Sequence, residues 1–259
     1  MDPAPLDRLN PVARLLFAVL VAVPVLITLD WVSSAVMLGL EVVVFAAAGV
    51  RVPDMARRLL PVLVVGALAG VGMALYGRPG GHVFASWWLI TVSTRSLLMA
   101  LAVVLRIQAL ALGAMVLLGR VDPTLMADGL SQIARLPARF VLGTLAGVRL
   151  LGLLADDLHS LRLARRARGL GDTGAVRRFA SMAFALLVSA IRRGSTLATA
   201  MEVRGFGTLA ARHRTWARPS RLTWADALGL AITLVVDAAS IVMAVWAGTF
   251  WLIWAGVPT

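Results

Sequence analysis

The sequence predicts an all-α, polytopic membrane protein with about five transmembrane helices and one long cytoplasmic region of amphipathic helices. Three observations carry that prediction. Apolar residues make up 60% of the 259 and charged residues only 15%, with a mean hydropathy of +0.88. A soluble domain of this length needs far more polar surface to cover its core. Several apolar runs approach the roughly 20 residues that cross a ~30 Å hydrocarbon layer. Finally, every basic residue is Arg, and 17 of the 25 fall between Arg120 and Arg221, against six acids in that stretch. An Arg excess confined to one connection between spans marks a segment held on the cytoplasmic side.

The spans follow in order. Residues 1–11 are polar and Pro-rich, and Arg8 and Arg14 flank the first apolar run, residues 15–29. Pro24 within that run, the lack of a small-x-small cleavage site and the later spans argue against a cleaved signal peptide. Span 1 therefore starts inside. Residues 30–34 form a short turn to span 2, residues 35–50. A compact loop with Arg51, Arg57 and Arg58 then lies on the cytoplasmic side. Span 3, residues 59–75, carries Gly66, Gly70 and Gly72, small residues that let helices approach closely in lipid. Residues 76–82 form a Gly/Pro turn outside. Residues 84–118 are too long for one span and contain Arg95 and Arg106. They divide into a short interfacial piece, 84–92, anchored by Trp87 and Trp88, and span 4, residues 96–118. Arg106 then falls near mid-membrane, where a guanidinium is expensive unless a neighbour satisfies it.

The region after span 4 differs in kind. Its apolar stretches, 140–155 and 179–191, are short and flanked by Arg. Asp122-Pro123 opens a helix by cap and first-turn logic, and Leu136-Pro137 interrupts it. Three amphipathic helices are expected, over about 124–135, 138–168 and 175–204, the second and third able to dip into the bilayer. Residues 224–254 read as one long last span with Trp246, Trp251 and Trp254 as an aromatic belt. The organisation is thus residues 1–119, four spans; 120–222, the cytoplasmic helical region; and 223–259, the last span, with the N-terminus inside and the C-terminus outside.

Composition also removes whole classes of function. Nucleic-acid binding pairs basic residues with aromatics for stacking, but residues 120–221 hold only Phe140, Phe179, Phe184, Phe206 and Trp216. The chain has no cysteine, and His82, His159 and His213 are scattered, so neither a thiolate nor a histidine metal site is expected. No nucleotide-binding Gly-x-x-x-x-Gly-Lys loop exists, and with no Lys it could not. The expectation is a chain that is not an enzyme, has no catalytic residues and carries no cofactor or metal.

Two segments of the cytoplasmic region end alike. One reads Arg165-Arg166-Ala167-Arg168-Gly169-Leu170-Gly171, the other Met201-Glu202-Val203-Arg204-Gly205-Phe206-Gly207. Leu154, Leu161 and Arg168 follow at intervals of seven and share a helix face, as do Leu197 and Arg204. Gly169 and Gly205 suit the left-handed turn that ends a helix. An Arg at a helix end complements the helix dipole and can meet lipid phosphate. Two matching copies on successive helices point further, toward bidentate contacts with carboxylates on a soluble partner.

With these motifs, the chain resembles the transmembrane T component of energy-coupling factor (ECF) transporters, the group containing the cobalt- and biotin-importer T proteins. The resemblance covers nearly the whole chain. Leu6-Asp7-Arg8-Leu9-Asn10-Pro11 with Ala13-Arg14-Leu15 resembles the family's N-terminal entry, and Thr94-Arg95-Ser96, Leu105-Arg106, Asp122-Pro123 and Leu136-Pro137 follow in the family's order. In that family Ala-Arg-Gly motifs end two coupling helices and dock into grooves on a pair of cytoplasmic ABC ATPases. Carried over, the docking residues are Ala167, Arg168 and Gly169, then Glu202, Val203, Arg204 and Gly205, with Val203 where the family has Ala. The resemblance implies a multi-pass protein of the inner membrane. Its partners would be two ABC ATPase subunits, a small substrate-binding membrane subunit and the lipid bilayer, with no nucleic acid. ATP-driven closure of the ATPases would move the coupling helices and reorient the substrate-binding subunit for vitamin or transition-metal ion uptake.

Two other classes leave weaker traces. A self-sufficient permease or secondary transporter places ionisable residues at the membrane midplane, for which Arg106 and Asp237 are the candidates. A membrane-embedded enzyme needs a clustered acid, His or nucleophile set. Asp156, Asp157 and His159 come nearest, and they read better as surface ion pairs with Arg162 and Arg165.

Overall fold

A computed structural model of the chain describes residues 9–28, 30–77, 80–87, 90–169, 174–206, 216 and 218–249. The element order is α1 (Pro11–Ile27), α2 (Trp31–Ala47), α3 (Val52–Tyr76), β1 (Val83–Trp87), β2 (Ile90–Ser93), α4 (Thr94–Leu118), α5 (Pro123–Gln132), α6 (Ala138–Ala167), α7 (Ala175–Val203) and α8 (Trp224–Trp246). The chain divides into two compact units, residues 1–122 with 221–259, and residues 123–220.

In the first unit α4 packs against α1, α2 and α3, and α8 packs on α1 and α2. Local sequence explains each entry. Asn10 caps α1 by accepting the Val12 N–H at 3.0 Å, and Pro11 follows it with a pre-set backbone. The Asn10 N–H itself donates to Asp226 Oδ1 at 2.7 Å, while Asp226 Oδ2 accepts from the Thr223 N–H, so one carboxylate ties the starts of α1 and α8 together. Asp30 caps α2, accepting from the Ser33 N–H and hydroxyl, which satisfies a buried turn from within. Ser93 and Ser96 form a reciprocal capping box at the start of α4.

Apolar packing fills the interior in two clusters. Phe17, Phe45, Met55 and Leu112 anchor one, and Val21, Val25, Met37, Ala109 and Val236 the other. The α3–α4 contact depends on missing side chains. A Cβ placed on Gly70 would lie 2.7 Å from Val104 Cγ2, and one on Gly66 would sit 3.8 Å from Val104 and Ile107. A Cβ on Gly72 would meet nothing within 4 Å. The outward face of α3, with Leu60, Leu68 and Val71 exposed, is apolar as a lipid-facing surface requires.

Helices α3, α4, α6 and α8 are each long and apolar enough to cross a membrane, and α1 and α2 are shorter apolar helices. At 1.5 Å per residue the 17 residues of α1 span about 25 Å, somewhat under the hydrocarbon thickness. The protein is a polytopic, essentially all-α protein of the cell membrane.

Three expectations change. Arg57 and Arg58 belong to the first turns of α3 and not to a loop. Pro53 near the helix start and Asp54 in its first turn favour nucleation there, so the helix runs on beyond the apolar stretch. The stretch 84–92, expected as a short interfacial piece, falls among its described residues in two antiparallel strands that pair Trp87 with Ile90 and Val83 with Ser93. Val, Ile, Thr and Trp in that stretch favour strand over helix. The last span ends at Trp246 and not at residue 254, because Gly248 takes φ +68° and turns the chain out of the helix. The buried acids are a separate matter. Asp237 is 8% exposed and faces protein, as a carboxylate in a span must. Glu41, which the sequence reading passed over, is only 2% exposed, lies within electrostatic reach of Asp237 and sits in the space left by Gly113. Arg106, half-buried in α4, lies within electrostatic reach of Asp30.

In the second unit α5 packs on α6, and α6 on α7. Gln132 closes the unit: its Nε2 donates to the Arg218 carbonyl at 2.9 Å, and its Oε1 accepts the Ser220 N–H at 2.9 Å. Arg135, at φ +54°, takes the left-handed turn after α5, and Pro137 starts α6. Leu136, placed before a proline, is biased away from helix, which separates the two.

Candidate docking site at two helix ends

The two Arg-Gly motifs form matching helix termini. Ala167 is the last residue of α6 and Val203 the last of α7. Arg168 (φ −88°, ψ 8°) and Arg204 (φ −79°, ψ 9°) are the C-cap residues, half a step beyond the final turn in which the sequence placed them. Gly169 and Gly205 follow at φ +71° and +74°. The Gly169 N–H donates to the Arg166 carbonyl at 3.0 Å, and the Gly205 N–H to the Glu202 carbonyl at 2.9 Å. After α7 the Phe206 N–H also reaches back to the Met201 carbonyl, completing a Schellman motif. Each Gly is thus required by its turn. The turn in turn fixes where the chain leaves the helix and where the Arg side chain starts.

Ala167, Arg168, Gly169, Glu202, Val203 and Arg204 are all exposed, Val203 at 84%, and Gly205 is half-buried. Neither Arg168 nor Arg204 has a polar partner among the described residues. Two cations at carbonyl-rich helix ends complement the dipoles, and both remain available to a carboxylate from outside.

Replacing Gly169 by Ala tests the turn alone, because a Cβ there meets nothing within 4 Å. The left-handed conformation costs an L-residue roughly 1–2 kcal/mol, so amide exchange in the last turn of α6 should quicken by about 5- to 30-fold. Gly169→Asn should be milder. An unchanged exchange rate in Gly169→Ala would mean that the turn is not formed in solution.

The helices run antiparallel. Arg165 Nη1 donates to Ser181 Oγ at 2.7 Å. Asp157 takes a hydrogen bond from Ser189 Oγ at 3.1 Å and an ion pair with Arg193 at 2.9 Å. Further along, Leu142, Arg149 and Leu153 of α6 share a cleft with Arg193, Leu197 and Arg204 of α7. The residue numbers rise on one helix as they fall on the other, so the two motifs sit at opposite ends of the pair. Leu142 lies at the Arg204 end, and Arg168 is 26 positions further on (168 − 142). At 1.5 Å per residue that separates the motifs by about 39 Å.

The sequence reading placed Asp156 and Asp157 in ion pairs with Arg162 and Arg165 on their own helix. Asp157 instead turns to α7. A pairing 32 to 36 positions away has no local signature, whereas the acid itself, facing an Arg-rich helix, was visible. Arg149, Arg192 and Arg193 were likewise visible only as charge, and their convergence on one cleft is a tertiary fact. Among the described residues no group of three or more metal-ligating side chains occurs. Asp7, Arg8, Trp88, Gly171, Gly207, Trp251 and Trp254 lie outside the described residues.

Comparison with known proteins gives a consistent set of likenesses. The family model for CbiQ, described as a cobalt transport protein, matches residues 3–216. The energy-coupling factor transporter transmembrane protein EcfT of Brevibacillus brevis is 25% identical over 243 residues, 89% of this chain and 91% of that protein. EcfT of Lactococcus lactis subsp. cremoris is 26% identical over 219 residues, 78% of this chain and 80% of its own length. EcfT of Limosilactobacillus fermentum is 27% identical over 174 residues, spanning 61% of this chain and 63% of that protein.

Proposed function

This chain belongs to the CbiQ cobalt transport protein family, and we propose that it is the energy-coupling transmembrane subunit of an ECF-type ABC importer. In this reading it links two cytoplasmic ABC ATPases to a small substrate-binding membrane subunit that takes up a vitamin or a transition-metal ion. One observation carries the reading: two exposed arginines, without a polar side-chain partner among the described residues, cap α6 and α7 at opposite ends of an antiparallel pair. About 39 Å apart along the helix axis, they cannot share one recessed groove. Each therefore calls for its own partner surface, and a pair of like ATPases supplies two.

The mechanism is mechanical. Each planar guanidinium docks bidentately on a carboxylate in an ATPase groove. When ATP binding closes the ATPase pair, the two grooves carry Arg168 and Arg204 with them. A stiff helix carries a displacement at its end along its length, so α6 and α7 shift where they meet the membrane subunits. The Asp157–Arg193 ion pair and the Arg165–Ser181 bond keep the helices moving as a coupled pair. ATP chemistry belongs to the partners, since this chain has no Lys for a phosphate-binding loop. Substrate choice belongs to the substrate-binding subunit. The burial of Asp237 against protein supports a packing role for it over a place in a self-sufficient transport path.

Purification of the tagged chain from its native membranes tests the assignment. Mass spectrometry should find two ABC ATPase chains and one small membrane protein in stoichiometric amounts. A chain that purifies alone and transports by itself in proteoliposomes would refute it.

A further inference from the structure

The cleft between α6 and α7 combines features that a protein surface seldom puts together. Its lining is largely apolar, with Leu142, Leu145, Leu150, Leu153, Leu197 and Met201. Four arginines, Arg149, Arg192, Arg193 and Arg204, also line it, and no carboxylate does among the described residues. Asp157 neutralises Arg193, but Arg149 donates only to the neutral Thr124 hydroxyl, and neither Arg192 nor Arg204 has a polar partner among the described residues. The volume, about 1170 Å³, exceeds the ~300–1,000 Å³ of ordinary small-molecule pockets.

A lining that joins leucines to arginines is complementary to an anionic amphiphile. We propose that this cleft holds one anionic phospholipid, its phosphate between Arg149 and Arg192 and its upper acyl chain along the leucines, with Arg204 left to the docking role. Helix α6 supports the choice of a lipid over a partner's helix. It is apolar and long enough to enter a bilayer, so its cleft meets lipid at the concentration of the membrane itself. Arginine also suits the role, because its fork binds phosphate oxygens in pairs and is less strongly hydrated than an ammonium. A zwitterionic lipid offers the same chain but carries a compensating ammonium, which the arginine-rich lining disfavours.

The test uses the full-length protein, freed of native lipid and titrated with phosphatidylglycerol or phosphatidylcholine, with bound lipid counted by native mass spectrometry. One phosphatidylglycerol should survive per chain, and phosphatidylcholine should not. Each cleft arginine removed should cut phosphatidylglycerol affinity about fivefold, so Arg192→Gln and Arg149→Gln/Arg192→Gln form a graded series. Arg162→Gln, on the exposed opposite side of α6, should match the parent. Glycerol 3-phosphate in millimolar excess should not displace the lipid, since it lacks the chain. Equal retention of the two lipids, or equal phosphatidylglycerol binding by the parent, the cleft variants and Arg162→Gln, would overturn the proposal and leave the cleft to a partner protein. Arg168→Ala should leave lipid binding unchanged, so this result stands apart from the docking reading.

Discussion

Removing both capping guanidiniums, in Arg168→Ala/Arg204→Ala, should abolish ATP-driven uptake and the recovery of ATPases with the chain, while the membrane helices still fold and insert. The expectation rests on position. Both side chains are exposed C-caps, and neither has a polar partner among the described residues, so their removal takes nothing from the packed core. As helix caps alone they contribute roughly 0.3–1 kcal/mol through the dipole. As docked, charge-assisted pairs they are worth about 2–5 kcal/mol each, or roughly 30- to several-thousand-fold in affinity. The two readings therefore differ by more than an order of magnitude in binding. Single variants should be weakened and the double variant worse than either, since the arginines lie at opposite ends of the helix pair. Arg→Lys should restore part of the function, because an ammonium keeps the charge but not the planar fork. Arg177→Gln, exposed on α7 beside the Arg168 end but outside both motifs, should be mild, which separates the motif from the local charge around it. Normal ATPase recovery and uptake by the double variant would reduce the motifs to capped helix ends.

The second large effect concerns packing within the membrane unit. Gly70→Leu should prevent α3 and α4 from closing, and Gly70→Ala should already destabilise the unit. An added Cβ at Gly70 lies 2.7 Å from Val104 Cγ2 and 3.4 Å from the Ala100 carbonyl oxygen. Backbone on one side and a branched side chain on the other leave little room to yield. Overpacking of this kind costs about 1–3 kcal/mol, which meets or exceeds the ~1 kcal/mol that Ala gains over Gly in helix propensity. Gly72→Ala, where the new Cβ meets nothing, should show only that gain. Val104→Ala should rescue Gly70→Ala, and the coupling in the double-mutant cycle would identify the contact. Thermal unfolding of the detergent-solubilised protein reads all five variants. Equal midpoints for Gly70→Ala and Gly72→Ala would contradict the α3–α4 interface.

The three glycines of α3 show where sequence reasoning stops. All three were readable as small residues at helix-packing intervals, yet only Gly66 and Gly70 face α4. Which side of a helix meets a neighbour depends on rotation about its axis, and an almost wholly apolar helix has no polar face to set that rotation. Glu41 was missed for a related reason. One acid in an apolar run signals a buried group, but its company, Asp237 on the last helix and Gly113 on α4, comes from segments up to 196 positions away (237 − 41).

The sequence by itself determined the membrane class, the series of apolar helices, the bounds of α5, α6 and α7 to within three residues, and the two Arg-Gly termini. Each of these rests on interactions local in the chain: apolar run length against bilayer thickness, proline and capping chemistry at helix starts, and glycine's freedom at φ > 0 where helices end. Only the tertiary structure decided that Asp157 crosses to Arg193, that α6 and α7 lie antiparallel with their arginines at opposite ends, and that four guanidiniums line one cleft. Those facts depend on how helices pair across long stretches of intervening chain, and a helix carries no mark of which neighbour it will meet.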